Sequence, residues 1–245
     1  MKTGTKSVLF GAHCFFIHPW FVAWAWCRLY GFPLDPRLWV AFFTHDLGYW
    51  GKALMDDEDG ETHPLLGAWI MGRLFDRKPY DFEWQEWSHP GKGVPWRFGT
   101  AEFNRLLVDG WEIVSCENSF TLLRRPRFHW YDFSLLHSRY YAKRLGLPFS
   151  RLCVADKLSF ALTPAWLYLP MVRLTGEIDE YLERSKAAVC ATSNWPAADY
   201  SADGRLWHAN LCRYMREWVE AHKDGGQDTW TSSNRHAKKS DAFGS

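Results

Sequence analysis

Residues 37–52 read RLWVAFFTHDLGYWGK. Leu38 to Phe43 form an apolar run without the strict alternation of a half-buried strand. The run predicts a helix that resumes at Arg37, after the break Gly31-Phe-Pro-Leu-Asp-Pro36, and continues to about Tyr49. Near its end stand His45 and Asp46, side by side. An imidazole beside a carboxylate is a natural clamp for a divalent metal, and the carboxylate can bridge two ions. A His-Asp pair also occurs by chance, so its flanks decide how much it means.

Working outward, the flanks are helical. Pro19 to Tyr30 is a compact apolar helix with proline in its first turn. Beyond the pair, Asp56 to Glu61 reads as a solvated acidic loop. His63 to Phe75 (HPLLGAWIMGRLF) places Leu66, Ile70 and Leu74 at i, i+4 and i+8. Helical patterning returns over 130–145, 150–162, 177–191 and 206–221. The last of these carries Trp207, Leu211, Tyr214, Met215 and Trp218 on one stripe. Residues 77–127 differ, being rich in Trp, Gly and Pro. There WEIVS (111–115) and FTLLR (120–124) flank Cys116-Glu-Asn-Ser119, which predicts a small β-hairpin. From Lys223 the chain is polar and rich in Gly and Ser, the pattern of a disordered tail. The expected architecture is mainly α: a helical domain over 1–222, a Trp-rich β-hairpin insertion at 77–127, and a tail over 223–245.

Composition bounds the function. The 245 residues carry 29 Lys+Arg against 28 Asp+Glu, a formal charge of +1. That balance argues against broad nucleic-acid binding, which needs a basic surface, but not against binding one nucleotide. No two of the six cysteines, at 14, 27, 116, 153, 190 and 212, have C-x-x-C spacing. They read as reduced thiols, so a cytoplasmic protein is expected. His13, His18 and Arg28 interrupt the apolar N-terminal stretch, and no uninterrupted apolar run reaches the ~18 residues of a membrane span. The 16 Trp, 10 Tyr and 17 Phe fit either aromatic core packing or a stacking pocket for a base or partner.

Four further donors lie in or beside predicted helices: His18 upstream, then His63, His137 and Asp156 downstream. The order H…HD…H…H…D resembles the HD-domain superfamily of metal-dependent phosphohydrolases, in its dinuclear branch. Val22 and Ala23 after His18 match the family's H-x-x-x-V-A, and HDLGYWGK its HD-[IL]-G-x-x-x-K run. ADKLSFAL is similar to its closing A-D-[KR]-[LI] segment, and HPLLGA to the HP-x-x-GA of two-metal members. LLHSRYY supplies the extra histidine before the final aspartate. The resemblance covers residues 18–75 and 130–162 but not 77–127. The GYP motif of the cyclic-dinucleotide enzymes is absent.

The resemblance implies an HD-like helical bundle. His18, His45, Asp46, His63, His137 and Asp156 would hold two divalent ions (Fe, Mn, Zn, Co or Ni), with Asp46 as the bridge. It implies hydrolysis of a nucleotide or other small phosphate ester by a metal-activated hydroxide. Candidate phosphate-binding cations are Lys52, Arg139, Lys143 and Lys157, with 139 and 143 sharing a helix face. Arg124-Arg125-Pro-Arg127 either lines the mouth of the site or is surface. His13 need not share the face of His18, and His89, His129, His208, His222 and His236 read as surface or capping residues. The expected partner is a small phosphorylated substrate, with no membrane; a homo-oligomer is left open. Two other functions suit the same ligands: a mixed-valence di-iron oxygenase of HD type, and a non-catalytic ligand-binding module.

Overall fold

The computed structural model describes residues 1–55, 57, 59–88, 111–116, 120–191 and 203–225. Within them the chain is mainly helical. The helices are α1 (Thr3–Phe10), α2 (His18–Tyr30), α3 (Pro36–Thr44), α4 (Pro64–Phe75), α5 (His129–Leu135), α6 (Arg139–Leu145), α7 (Arg151–Leu162), α8 (Ala165–Thr175), α9 (Glu177–Ala191) and α10 (Gly204–His222). Local chemistry sets several ends. Proline occupies the first turn of α2, α3 and α4, where its missing N–H costs nothing. The Asp35 and Asp203 side chains accept from the first free N–H groups of α3 and α10. Gly146 and Gly176 close α6 and α8 in the left-handed conformation.

One core joins the helices that carry the candidate ligands. Val22, Ala25 and Trp26 of α2 pack with Ala41 and Phe42 of α3, Met71 of α4, and Leu152 and Ala155 of α7. Most of these side chains are fully buried, so the four helices are held at fixed spacing by close packing. Trp218 and Val219 of α10 cover the other side of α7, against Cys153 and Val154. Tyr168, Leu169 and Val172 of α8 form a further cluster with Ile178 and Trp207.

The hairpin of the sequence reading is present as β2 (Glu112–Cys116) and β3 (Phe120–Arg127). A third strand, β1 (Asp81–Ser88), pairs antiparallel with β3 on its other side, giving the order β1-β3-β2. The base of β3 is tied to α5 through two arginines. Arg125, 2% exposed, and Arg127 reach Asp132 at 3.2 and 2.6 Å. That places Arg125 in the interior rather than at a site mouth or on the surface. Residues 89–110, with most of the insertion's loop, and 226–245, with the predicted tail, lie outside the described residues, as do Asp56 and Glu58 of the acidic loop.

Two predicted helices are shorter than expected. The helix read to Tyr49 stops at Thr44, and Leu47–Tyr49 is a separate 3-10 turn. The helix read over 130–145 is two helices, broken at 136–138. Both breaks fall at candidate ligands. Among the described residues no helix is long and apolar enough to cross a membrane.

Candidate metal centre

The six donors named from the sequence come from five places in the fold. His18 opens α2, His45 and Asp46 follow the end of α3, and His63 immediately precedes α4. His137 lies in the break between α5 and α6, and Asp156 lies inside α7. Small residues let these segments meet. A Cβ on Gly48 would stand 1.9 Å from the carbonyl oxygen of His63, and one on Gly67 would stand 2.9 Å from Cα of His45. Only glycine allows the HD turn to lie directly on the start of α4.

The donor atoms form two groups that share Asp46. Oδ2 of Asp46 lies 3.1 Å from His45 Nε2 and 3.3 Å from His18 Nε2. Oδ1 of Asp156 completes that group, 3.1 Å from His18 Nε2 and 3.8 Å from His45 Nε2. Oδ1 of Asp46 points the other way, 3.4 Å from His137 Nε2 and 3.6 Å from His63 Nε2. Within each group every donor atom is within 4.8 Å of every other. Asp46, His45, His63 and His137 are buried, and His18 and Asp156 are half-buried.

Hydrogen bonds fix which ring nitrogen faces inward. Nδ1 of His45 is bonded to the carbonyl of Phe42, that of His63 to the carbonyl of Gly60, and that of His137 to the carbonyl of Ser134. A carbonyl only accepts, so each Nδ1 carries the hydrogen, and in the neutral ring each Nε2 is a bare lone pair. A backbone carbonyl behind the ring in this way is what orients a histidine that binds metal. The lone pairs of His63 and His137 then face one another, Nε2 to Nε2 at 3.3 Å, and the bare Nε2 of His45 lies 3.3 Å from Nε2 of His18. Acceptors so placed repel unless a cation or a proton lies between them. Oδ2 of Asp46 is moreover buried with no hydrogen-bond partner. An orphaned buried carboxylate oxygen is costly. Four imidazoles and two carboxylates, with a formal charge of −2 when the rings are neutral, fit divalent cations in both groups.

Without metal, protons take up part of this tension. Burial disfavours the imidazolium of His45, but Asp46 and Asp156 outweigh it and hold its pKa up at about 10. His18 is raised by the same two carboxylates against the same burial. Burial would lift Asp46, yet His45 and its neighbouring rings hold it well below the usual carboxylate range. Burial also pushes His63 well below the usual imidazole value. His18 and His45, each facing both carboxylates, thus hold a proton more readily than an ordinary imidazole, and His63 less readily.

The candidate cations are distributed differently. Lys157 is at the centre, with Nζ 2.9 Å from Asp156 Oδ2. Lys52 is not brought to the donors: its ammonium is held at 2.6 Å by both Asp59 Oδ1 and Thr62 Oγ1. The guanidinium of Arg139 lies over the ring of Trp218, at 5.0 Å. Lys143, though one turn further along α6, is exposed. Space at the centre is small. The cavity lined by His13, His18, His45 and Asp46 holds about 10 Å³, roughly one water or ion. A cleft of about 630 Å³ elsewhere is lined by Arg28, Arg151 and Arg216 but by none of the six donors.

One histidine that the sequence did not place at the site belongs beside it. Nε2 of His13 is 3.9 Å from Asp46 Oδ2. No periodicity could have found it, because it stands in the turn between α1 and α2. Two histidines read as surface or capping residues are interior instead. His208 packs against Phe160 and Tyr168, and His222 bonds the carbonyl of Trp218 while stacking on its ring. His129 is exposed, as expected, and His89 and His236 lie outside the described residues. The chain matches no protein-family model, no curated protein and no solved structure.

Proposed function

We propose that this chain is a metal-dependent phosphohydrolase of the HD type, which holds two divalent ions and cleaves a nucleotide or other small phosphate ester. The observation that carries the reading is the split carboxylate of Asp46. One oxygen serves His18, His45 and Asp156, and the other serves His63 and His137. A carboxylate with each oxygen in a separate donor group is the geometry of a bridge between two ions. Two such ions would supply Lewis acidity to a phosphoryl group and bring the pKa of a bound water toward neutrality.

The chain's own residues do the rest. His45, His63 and His137, oriented by backbone carbonyls, keep their lone pairs on the centre. Asp46 holds both groups in register. Lys157, half-buried against Asp156, adds a positive charge beside the first group, where an anionic substrate would be drawn. The close-packed core behind the site limits water to the centre itself.

Elemental analysis of wild type beside Asp46→Ala, with turnover of bis(p-nitrophenyl) phosphate and a nucleotide panel, tests this. The reading expects close to two equivalents of metal in wild type, lost in the variant together with phosphate release. A wild type without stoichiometric metal sinks it.

One observation favours a second reading, a mixed-valence di-iron oxygenase. Lys52 is held by Asp59 and Thr62, and the guanidinium of Arg139 lies over the ring of Trp218, so two of the four candidate cations are engaged by groups outside the donor set, which is sparse provision for a phosphate. Two irons, oxygen consumption and no phosphate release would select that enzyme instead.

A further inference from the structure

His13 reaches the centre with a nitrogen whose state is set by a residue far along the chain. Its Nδ1 lies 2.9 Å from Oγ of Ser7, on α1. The Ser7 hydroxyl donates to Oε2 of Glu177, the first residue of α9, at 3.1 Å. Glu177 is fully buried, and it also receives the hydroxyls of Thr175 at 2.6 Å and Tyr181 at 3.0 Å and the N–H of Ala12 at 3.2 Å. Every one of these partners donates, so the carboxylate acts as acceptor throughout. The space it occupies is kept open by Gly11, where a Cβ would fall 1.7 Å from Oε1.

The hydrogen bookkeeping then runs in one direction. Ser7 has a single hydroxyl proton, and Glu177 takes it. Toward His13 the Ser7 oxygen can only accept, so Nδ1 carries the hydrogen and Nε2 is bare. That bare nitrogen faces Asp46 Oδ2 at 3.9 Å, acceptor to acceptor. It is not a member of either donor group. Its ring is steadied by Tyr49 at 4.6 Å, which in turn stacks on His63 at 3.9 Å. A lone pair set beside the candidate donors, with no hydrogen to receive among the described residues, suits a donor that arrives from outside.

We infer that His13 is a further functional side chain of the centre: its Nε2 takes the proton of the water whose oxygen forms the new P–O bond, as the P–O bond to the ester's leaving oxygen breaks and that oxygen departs with the alcohol. Glu177, acting through Ser7, is the positioning residue that fixes its tautomer. This rests on the hydrolase reading above. A carboxylate behind a histidine orients the ring and fixes which of its nitrogens carries the hydrogen.

The test uses the full chain loaded with zinc. Long-range 1H–15N spectra of the histidine rings report which nitrogen is protonated, and the His13 signal is assigned by its loss in His13→Gln. The expected wild-type state is the Nδ1–H tautomer, with Nε2–H gaining population in Ser7→Ala, a change smaller than emptying the Glu177 cavity. His13→Gln is expected to keep its metal but lose ~100-fold or more in kcat on bis(p-nitrophenyl) phosphate, with KM little changed. Added imidazole is expected to restore part of the rate to His13→Ala, which a merely structural role would not allow. The Nε2–H tautomer in metal-loaded wild type, or an unchanged kcat in His13→Gln, overturns the role of His13 alone. A wild type that takes up no metal overturns the underlying reading and this one with it.

Discussion

The six donors do not contribute equally, and single substitutions separate them. Asp156 serves only the first group and His137 only the second, whereas Asp46 serves both. Asp156→Asn and His137→Ala are each expected to bring metal content from two equivalents toward one, and Asp46→Ala toward none. Elemental analysis after gel filtration checks this; equal losses in all three would mean that Asp46 is no bridge. Protonation gives a second prediction. His45 keeps its proton in the folded metal-free chain up to about pH 10, while an unfolded imidazole releases it near 6.5. The raised pKa therefore stabilises the fold fully below pH 6.5, and that contribution disappears as the pH rises to about 10. The melting temperature of metal-free protein is expected to fall across that window, and that of zinc-loaded protein to stay flatter, since a cation then replaces the proton. Parallel curves would contradict it. The six candidate donors are legible in sequence because short motifs around them match a known pattern, not because they share a helix face: His45, Asp46, His63 and His137 all stand at or beyond helix ends. His13 is not legible: its orienting partners, Ser7 and Glu177, come from two other elements, and no spacing encodes a contact so distant in the chain.

At the scale of elements, apolar periodicity marked most of the helices but overran their ends at the site. Periodicity reports which face is buried and is blind to a ligand that must leave the helical path. The run from Arg37 passes through His45 without a breaking residue, yet the helix stops at Thr44, where the His45 ring turns back to the carbonyl of Phe42. Residues 136–138 break for the same reason, with His137 bonding back to Ser134. Strand β1 was missed because the aromatic and charged residues of DFEWQEWS lack a turn signal linking them to β3, far along the chain. The cations are distributed unevenly for a related cause, Arg139 staying within electrostatic range of Lys157. Residues four apart on a helix share its direction only while the surroundings allow, and Trp218 captures Arg139 while Lys143 faces solvent. The tight turn itself is testable. Gly48→Ala drives a Cβ into the His63 carbonyl and is expected to cost about 1–3 kcal/mol and weaken the second metal group. Gly31→Ala is the control: at φ 83° with open space around it, it is expected to cost about 1 kcal/mol in backbone strain with metal content unchanged. Equal metal content in both variants would detach the turn from the centre.

Across the whole molecule, the centre is where helices from both ends of the sequence are joined. His18 near the start and Asp156 well beyond the insertion meet at 3.1 Å. The core formed by α2, α3, α4 and α7 brings them close, but the last few ångströms juxtapose lone pairs and carboxylates that repel. Packing therefore works against electrostatics at this point, and a divalent cation in each group would remove the conflict. Metal that binds the native state and not the unfolded chain stabilises by mass action, by about 4 kcal/mol when free metal is a thousandfold above its dissociation constant. For a chain of this length one kcal/mol moves the midpoint by roughly 2–4 °C. Removing metal with a chelator is therefore expected to lower the unfolding temperature by roughly 10 °C. Asp46→Ala should respond little to the chelator, since its sites are already lost, and it should not match the instability of chelated wild type, because it also removes a buried negative charge. Differential scanning calorimetry of both proteins, with and without chelator, decides the matter. A wild-type midpoint indifferent to metal would mean that packing alone holds these six side chains together.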